Sequence, residues 1–347
     1  MLHVERCLKT IHQKSTCEKC QTVCPSHALN FFTSIPCIDT LKCLECGACM
    51  QVCPTDAFES QTLLDETIMA SIQSRSSQNE KIIFTCKNIQ TLDNAAIALP
   101  CLARLDKSML LYTALTTKQD IHIVHGECTT CSLSLSQSLI ETTINAVTML
   151  CSRANLPIKV HLNQQKQSIA SREDRQNEQN RQGKIRRRFL LKLLGKESDT
   201  QDKTVLRADK ALHHYHHLTT QPYVYTKHQR YLTMLKTLFS KKESLLSTII
   251  GTKPIINADD CQQCSICTHV CPSGALSLLQ KTSFGILCDP SLCIECHLCE
   301  DVCFAHAISQ ENKTLFDIIE NNVNILFQND FRVNPEKMQT NVVIYRT

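Results

Sequence analysis

Between residues 81 and 162 the apolar positions come in short unbroken runs separated by longer periodic stretches. KIIFTC (81–86), AAIALPC (95–101), IHIVHG (121–126) and PIKVHL (157–162) are runs of strand length. ARLDKSMLLYTALTT (103–117) and SLSLSQSLIETTINAVTMLCSRANL (132–156) space their apolar residues as helices do. Strands alternating with helices predict a small α/β domain over 78–162, its strands parallel and joined by crossovers. Helical spacing returns in YLTMLKTLFSKKESLLSTII (231–250) and in TLFDIIENNVNILF (314–327), which predicts one helix in a tail over 313–347. NQQKQSIASREDRQNEQNRQGK (163–184) has almost no apolar residue to bury and predicts a flexible start to a connector over 163–250.

The two ends of the chain show neither period clearly. Their regular feature is cysteine, of which the 347 residues contain 23. Nine lie in residues 1–60, five in 80–151 and nine in 261–303. The N-terminus MLHVERCLKTIHQ has no apolar stretch of the signal-peptide kind, and no run of 18 apolar residues occurs. The expectation is a cytoplasmic chain without a membrane span. There thiols stay reduced, and clustered cysteines read as metal sites before disulfides.

CQQCSICTHVCP (261–272) spaces its thiols two, two and three apart and ends in proline; CIECHLCEDVC (293–303) repeats the count. Three thiols on C-x2-C-x2-C can wrap one iron–sulfur cube, while the fourth reaches the cube built by the other motif. Cys261, Cys264, Cys267 and Cys303 then hold one cluster, and Cys293, Cys296, Cys299 and Cys271 the other. Zinc ribbons also use C-x2-C pairs but need neither the third nor the fourth thiol at these spacings. These motifs resemble those of the bacterial two-cluster ferredoxins, which implies an α+β module over 251–312 built from two hairpin-and-helix halves. One departure is Phe304 in place of the usual proline, expected to loosen the turn. Cys288, just ahead of the second motif, reads as a buried small hydrophobe.

A second such module is expected over 1–62. CLECGACMQVCP (43–54) is complete, whereas CEKCQTVCP (17–25) has Lys14 where its first thiol should stand. Cys43, Cys46, Cys49 and Cys24 make an intact set. Cys17, Cys20 and Cys53 lack a fourth member. Cys7 reaching back along a longer loop is the smallest change; Cys37, or a three-iron or open-iron centre, are the alternatives.

In the central segment three strands deliver thiols at their carboxyl ends: Cys86, Cys101, then Cys128 with Cys131. That edge of a parallel sheet is where sites form. Cys131 is expected at the start of the long helix, whose positive end would favour thiolate. Cys151 reads as buried. The strand-ending cysteine, LPC followed by Arg104 and Asp106, and HGECTTC with Gly126 resemble the delta subunit of methyl-viologen-reducing hydrogenase. That resemblance implies a 2Fe–2S centre on Cys86, Cys101, Cys128 and Cys131, and electron relay between a hydrogenase and heterodisulfide-reductase-type partners. Family members carry further cysteines near the first one, and KNIQTLDN (87–94) has none. A dithiol–disulfide pair, a zinc site or four unrelated thiols stay open.

Charge and glycine narrow the function. The formal charge of +4 is too small to argue for nucleic acid, and four oxidised cubes at about −2 each would turn it to roughly −4. The seven glycines form neither a dinucleotide fingerprint nor a phosphate loop. RRRFLLKLLG (186–195) spells a twin-arginine signal at the wrong place and reads as a basic docking helix. HHYHH (213–217) reads as an exposed histidine run. The 231–250 helix is expected to pack on a ferredoxin module.

The whole predicts two ferredoxin-like modules flanking a parallel-sheet domain, with three to four 4Fe–4S clusters and a 2Fe–2S centre as one reading of the middle. Function follows as electron transfer to redox protein partners, alone or as a subunit of an oxidoreductase. A thiol or disulfide reductase using Cys128 and Cys131, or a cluster-based sensor, are the alternatives.

Overall fold

The computed structural model describes residues 1–87, 89, 96–117, 119–134, 136–165, 225–240, 245–279, 284–319 and 323–329. The basic stretch at 186–195 and the histidine run at 213–217 lie outside them, as does all but the start of the polar connector.

At the N-terminus, α1 (Leu8–Ile11) and α2 (Lys19–Thr22) precede a hairpin of β1 (Leu29–Phe32) and β2 (Ile35–Ile38), followed by α3 (Ala48–Val52). The hairpin pairs Leu29 with Ile38 and Phe32 with Ile35. An isolated antiparallel bridge from Leu2 to Phe58 closes the module. Its apolar centre is small, with Ala28, Leu29, Ala57 and Phe58 packed among Cys20, Cys24 and Cys53.

The middle of the chain builds α4 (Asp65–Ser77), β3 (Ile82–Cys86), β4 (Ile97–Leu99), α5 (Lys107–Thr117), β5 (Ile121–His125), α6 (Ser136–Arg153) and β6 (Val160–Gln164). The four strands form a sheet in the order β4-β3-β5-β6, every pair parallel. Phe84, Leu99, Ile121 and Ile123 are fully buried in it, against Met109, Leu110 and Leu111 of α5 and Val147 of α6. The chain leaves β3 for one neighbour and returns across it to the other, so a topological switch lies beside the carboxyl end of β3. The last strand runs two residues beyond the apolar run, to Gln164, because its final residues pair with Val124 and His125 of β5.

The helix expected over 231–250 is shorter and earlier. α7 spans Thr226–Phe239, and Ile249 and Ile250 belong to β7 (Ile249–Ile256). Its apolar stripe, with Leu235 and Phe239 buried and Tyr231 and Leu238 beside them, joins the core of the parallel-sheet domain. It packs on α5, whose long apolar face covers most of the stripe, while its first turn makes the expected contact with the ferredoxin modules through Lys227 and His228.

The C-terminal part contains β7, α8 (Ile266–His269), β8 (Leu276–Leu278), β9 (Phe284–Cys288), α9 (Leu298–Val302) and β10 (Ile308–Thr314). β7 pairs antiparallel with β10 and β8 with β9, the arrangement of two hairpin-and-helix halves. The tail corrects the sequence reading. α10 (Leu315–Ile319) has only five residues, and β11 (Asn324–Asn329) adds to β9 as a third strand. The free edge of β9 supplies hydrogen bonds that outweigh the helical spacing of Val323–Phe327. Among the described residues no helix is long and apolar enough to cross a membrane.

Candidate metal centres

The complete motifs share one backbone path. The residue before the second thiol is left-handed in each: Glu45 at φ 53°, Gln263 at 56° and Glu295 at 57°. The residue after the second thiol is left-handed too, as Gly47 at φ 84°, Ser265 at 56° and His297 at 62°. Alternating right- and left-handed residues coil the chain tightly enough for three thiols to face one point. A third left-handed position follows every fourth thiol by three: His27, Asp56, Gly274 and His306, at φ 50°, 47°, 69° and 53°. In three of the four, this turn folds the next amide back onto sulfur. Ala28 N–H donates to Cys24 Sγ at 3.3 Å, Ala57 to Cys53 at 3.4 Å and Ala307 to Cys303 at 3.3 Å. Phe304 therefore does not loosen its turn, as the sequence suggested; the bend is made at His306, and Phe304 stands 57% exposed outside it.

The thiols fall into groups that cross motif boundaries. Burial, and after it Cys261, Cys264 and Cys303, push the Cys267 thiol up to about 12. The same four line one small pocket with Phe304 at its rim. Burial and then Cys271 and Cys293 push Cys296 up to about 12 as well, its Leu298 N–H partly opposing them. At the N-terminus burial raises Cys49 to about 12, with Cys46, Cys43 and Cys24 as its nearest thiols. Cys20 is raised by burial and then by Cys53, Cys7 and Cys17. The short N-terminal helix thus brings Cys7 beside the incomplete trio. Cys37 stays in β2 with its Sγ directed to the Ile35 carbonyl at 3.7 Å. Cys288 is fully buried in the C-terminal core, and Cys151 lies buried in α6.

In the middle, Cys86, Cys101, Cys128 and Cys131 line a second pocket together with His125 and Pro100, at the carboxyl edge of the sheet. His125 Nδ1 lies 3.6 Å from Cys128 Sγ and 2.7 Å from the Gly126 carbonyl. Cys131 is not at the start of the long helix. A short 3-10 turn, Cys128–Thr130, ends at it, and α6 begins only at Ser136. Burial first, then Cys86 and Cys131, raise Cys128. The LPC element contributes differently from the thiols: Arg104 pairs with Asp65 and is buried, while Asp106 accepts the Met109 N–H at 2.9 Å and caps α5.

Raised thiols are poor nucleophiles but suit a site whose ligands ionise when metal arrives. Four soft sulfur donors, with N–H groups aimed at sulfur, match the chemistry of an iron–sulfur group. Among the described residues no three His, Cys, Asp or Glu side chains are grouped to hold a single metal ion.

Residues 15–57 match the 4Fe-4S dicluster domain family, and residues 254–277 and 289–309 match the 4Fe-4S binding domain family. Each end of the chain carries a ferredoxin-type 4Fe–4S domain. No curated protein and no solved structure matches the chain. The parallel-sheet domain lies outside both family matches.

The two ferredoxin-type domains touch. Leu8 is buried against Leu298 and Val302, with Cys17 and Cys296 packed on the same cluster. Thr16 donates to Asp301 through its backbone N–H and its hydroxyl, both at 2.8 Å. The other flank of the N-terminal domain meets the sheet domain: Ala48 joins its core with Cys46 beside it, and Gln51 Nε2 donates to Thr143 Oγ1. Sequence reasoning missed two lysines that bond the backbone carbonyls of motif cysteines. Lys313 Nζ donates to the Cys293 carbonyl at 3.0 Å, and Lys227 Nζ to the Cys53 carbonyl at 2.6 Å. Neither belongs to a motif, and only the fold brings them near.

Proposed function

We propose that this chain is an electron-transfer protein, or the electron-transfer subunit of an oxidoreductase, that holds four 4Fe–4S groups at its ends and a 2Fe–2S group in its middle. The end groups belong to Cys7/Cys17/Cys20/Cys53, Cys24/Cys43/Cys46/Cys49, Cys261/Cys264/Cys267/Cys303 and Cys271/Cys293/Cys296/Cys299. The central one belongs to Cys86/Cys101/Cys128/Cys131. Each group, when bound, accepts and releases single electrons. The chain fixes the thiols, aims amides at sulfur and excludes water.

The observation that carries the reading is the grouping of thiols across motifs, in which each motif lends its last cysteine to the other. The partners are redox proteins. A hydrogenase- or heterodisulfide-reductase-type complex is the class suggested by the likeness of the central segment to the hydrogenase delta subunit. Division of the chain at about residues 62, 78, 162, 250 and 312 goes with this reading.

Anaerobic purification with iron and sulfide counted per chain tests it, read together with EPR of the reduced state. About 18 irons with matching sulfide are expected, about 16 if the central site takes no metal. Colourless protein without acid-labile sulfide, even after reconstitution, overturns the reading. For the middle site, Cys128→Ser is expected to remove two irons. If it instead leaves iron intact and abolishes reduction of a disulfide substrate, Cys128 and Cys131 work as a redox dithiol.

A further inference from the structure

We propose that the first turn of α7 is a clasp joining the two ferredoxin-type domains, and that Lys227 within it is a fixed positive charge that raises the reduction potential of the group on Cys7, Cys17, Cys20 and Cys53. The proposal rests on the iron–sulfur reading of that site.

The last carbonyls of a helix have no partner within it. At the end of α3 those of Met50 and Gln51, together with the Cys53 carbonyl just beyond, receive Lys227 Nζ at 2.8, 3.1 and 2.6 Å. Asp56 Oδ1 lies 3.4 Å from the same ammonium, and Asp56 Oδ2 accepts the Lys227 backbone N–H at 3.3 Å. The Lys227 side chain is 19% exposed. A charge held in place, short of water and beside a ligand carbonyl is weakly screened. A positive charge there favours the more negative, reduced state of a cluster.

The residues around Lys227 grip the other domain. Tyr225 Oη donates to the Pro272 carbonyl at 3.0 Å, next to Cys271. His228 Nε2 meets the Ser291 carbonyl at 2.9 Å, two residues before Cys293. One turn on, Arg230 pairs with Asp65 at 2.8 Å and Asp106 at 3.1 Å, anchoring the stretch to the sheet domain. Six consecutive residues therefore touch all three cysteine-bearing parts. The two ferredoxin-type domains also meet directly, where Leu8 packs on Leu298 and Val302 with Cys17 and Cys296 beside them.

The test is an EPR-monitored redox titration of full-length, anaerobically purified protein carrying Lys227→Met. Iron and sulfide are expected to equal wild type, with one centre shifted to more negative potential and the others unmoved. Lys227→Arg should restore the wild-type value. Asp56→Asn, which removes the opposing charge, should shift the same centre to more positive potential; it also decides the matter if Lys227→Met fails to load iron. Unchanged midpoints in Lys227→Met with full iron, or in Asp56→Asn, overturn the proposal. Wild-type protein without sulfide would overturn the iron–sulfur reading instead, and the two failures are distinguishable.

Discussion

A left-handed residue stands three positions after each fourth thiol and in three cases aims the next amide at sulfur, and the residues there are of three types: His27, Asp56, Gly274 and His306. Geometry at this point is set by the thiol and the turn more than by a glycine requirement. Gly47 is different. Its φ is 84°, and a Cβ added there would stand 2.6 Å from Arg104 Cδ, inside contact distance of a buried side chain. Gly47→Ala should cost about 1–3 kcal/mol of stability in denaturant unfolding, through strain and displacement of Arg104. Lys14, at the vacant first position of the N-terminal motif, left the fourth position open between Cys7, Cys37 and a three-iron or open-iron centre. Spacing alone could not choose, because the answer depends on how a helix between residues 8 and 11 folds back. Cys7→Ser should lower iron per chain and produce the EPR signal of a three-iron centre or lose one centre. Cys37→Ser should leave iron and spectrum unchanged. The reverse pattern would place Cys37 in the site.

At the level of elements, the parallel sheet was legible because strands buried on both faces need continuous apolar runs, and those runs end where the thiols begin. The tail was not legible. Val323–Phe327 has helical spacing, yet the unpaired edge of β9 recruits it as a strand, and a five-residue window carries no sign of an edge formed elsewhere. The start of α6 was misplaced for a similar reason: CTTC forms its own 3-10 turn, so the helix begins after it. Element junctions depend on ion pairs as much as on apolar faces. Asp65 of α4 accepts from Arg104 and Arg230, and Arg230 also reaches Asp106 at the start of α5. Burial alone would raise the Asp65 carboxyl, but the two guanidinium groups together hold it below the usual carboxylate value. Its folded pKa lies below its unfolded one, so its contribution is full above about pH 4 and is lost as pH falls through the lower folded value. Asp65→Asn should cost about 3 kcal/mol at pH 7, since two buried cations lose a partner. That difference should hold steady from pH 8 to 5 and shrink only in stronger acid, as followed by urea melts.

On the scale of the whole molecule, the parts meet through contacts distant in sequence. Thr16 and Asp301 are 285 residues apart, and no single-sequence pattern pairs them. Leu298 is fully buried at this junction. Leu298→Ala should destabilise by about 2–5 kcal/mol, and it should weaken magnetic coupling between the centres on either side in the reduced EPR spectrum. The motif sequences carried most of the candidate sites because ligand spacing is local, while the order in which the sites adjoin is a property of packing.

The central claim, that motifs lend their last thiol to one another, is tested most directly by pairing single ligand variants in the C-terminal domain. EPR spectra of reduced Cys303→Ser, Cys261→Ser, Cys271→Ser and Cys293→Ser proteins would be compared. The account predicts that Cys303→Ser perturbs the same signal as Cys261→Ser, and Cys271→Ser the same signal as Cys293→Ser. Cys303→Ser altering the signal that Cys293→Ser alters, and leaving that of Cys261→Ser intact, would contradict it.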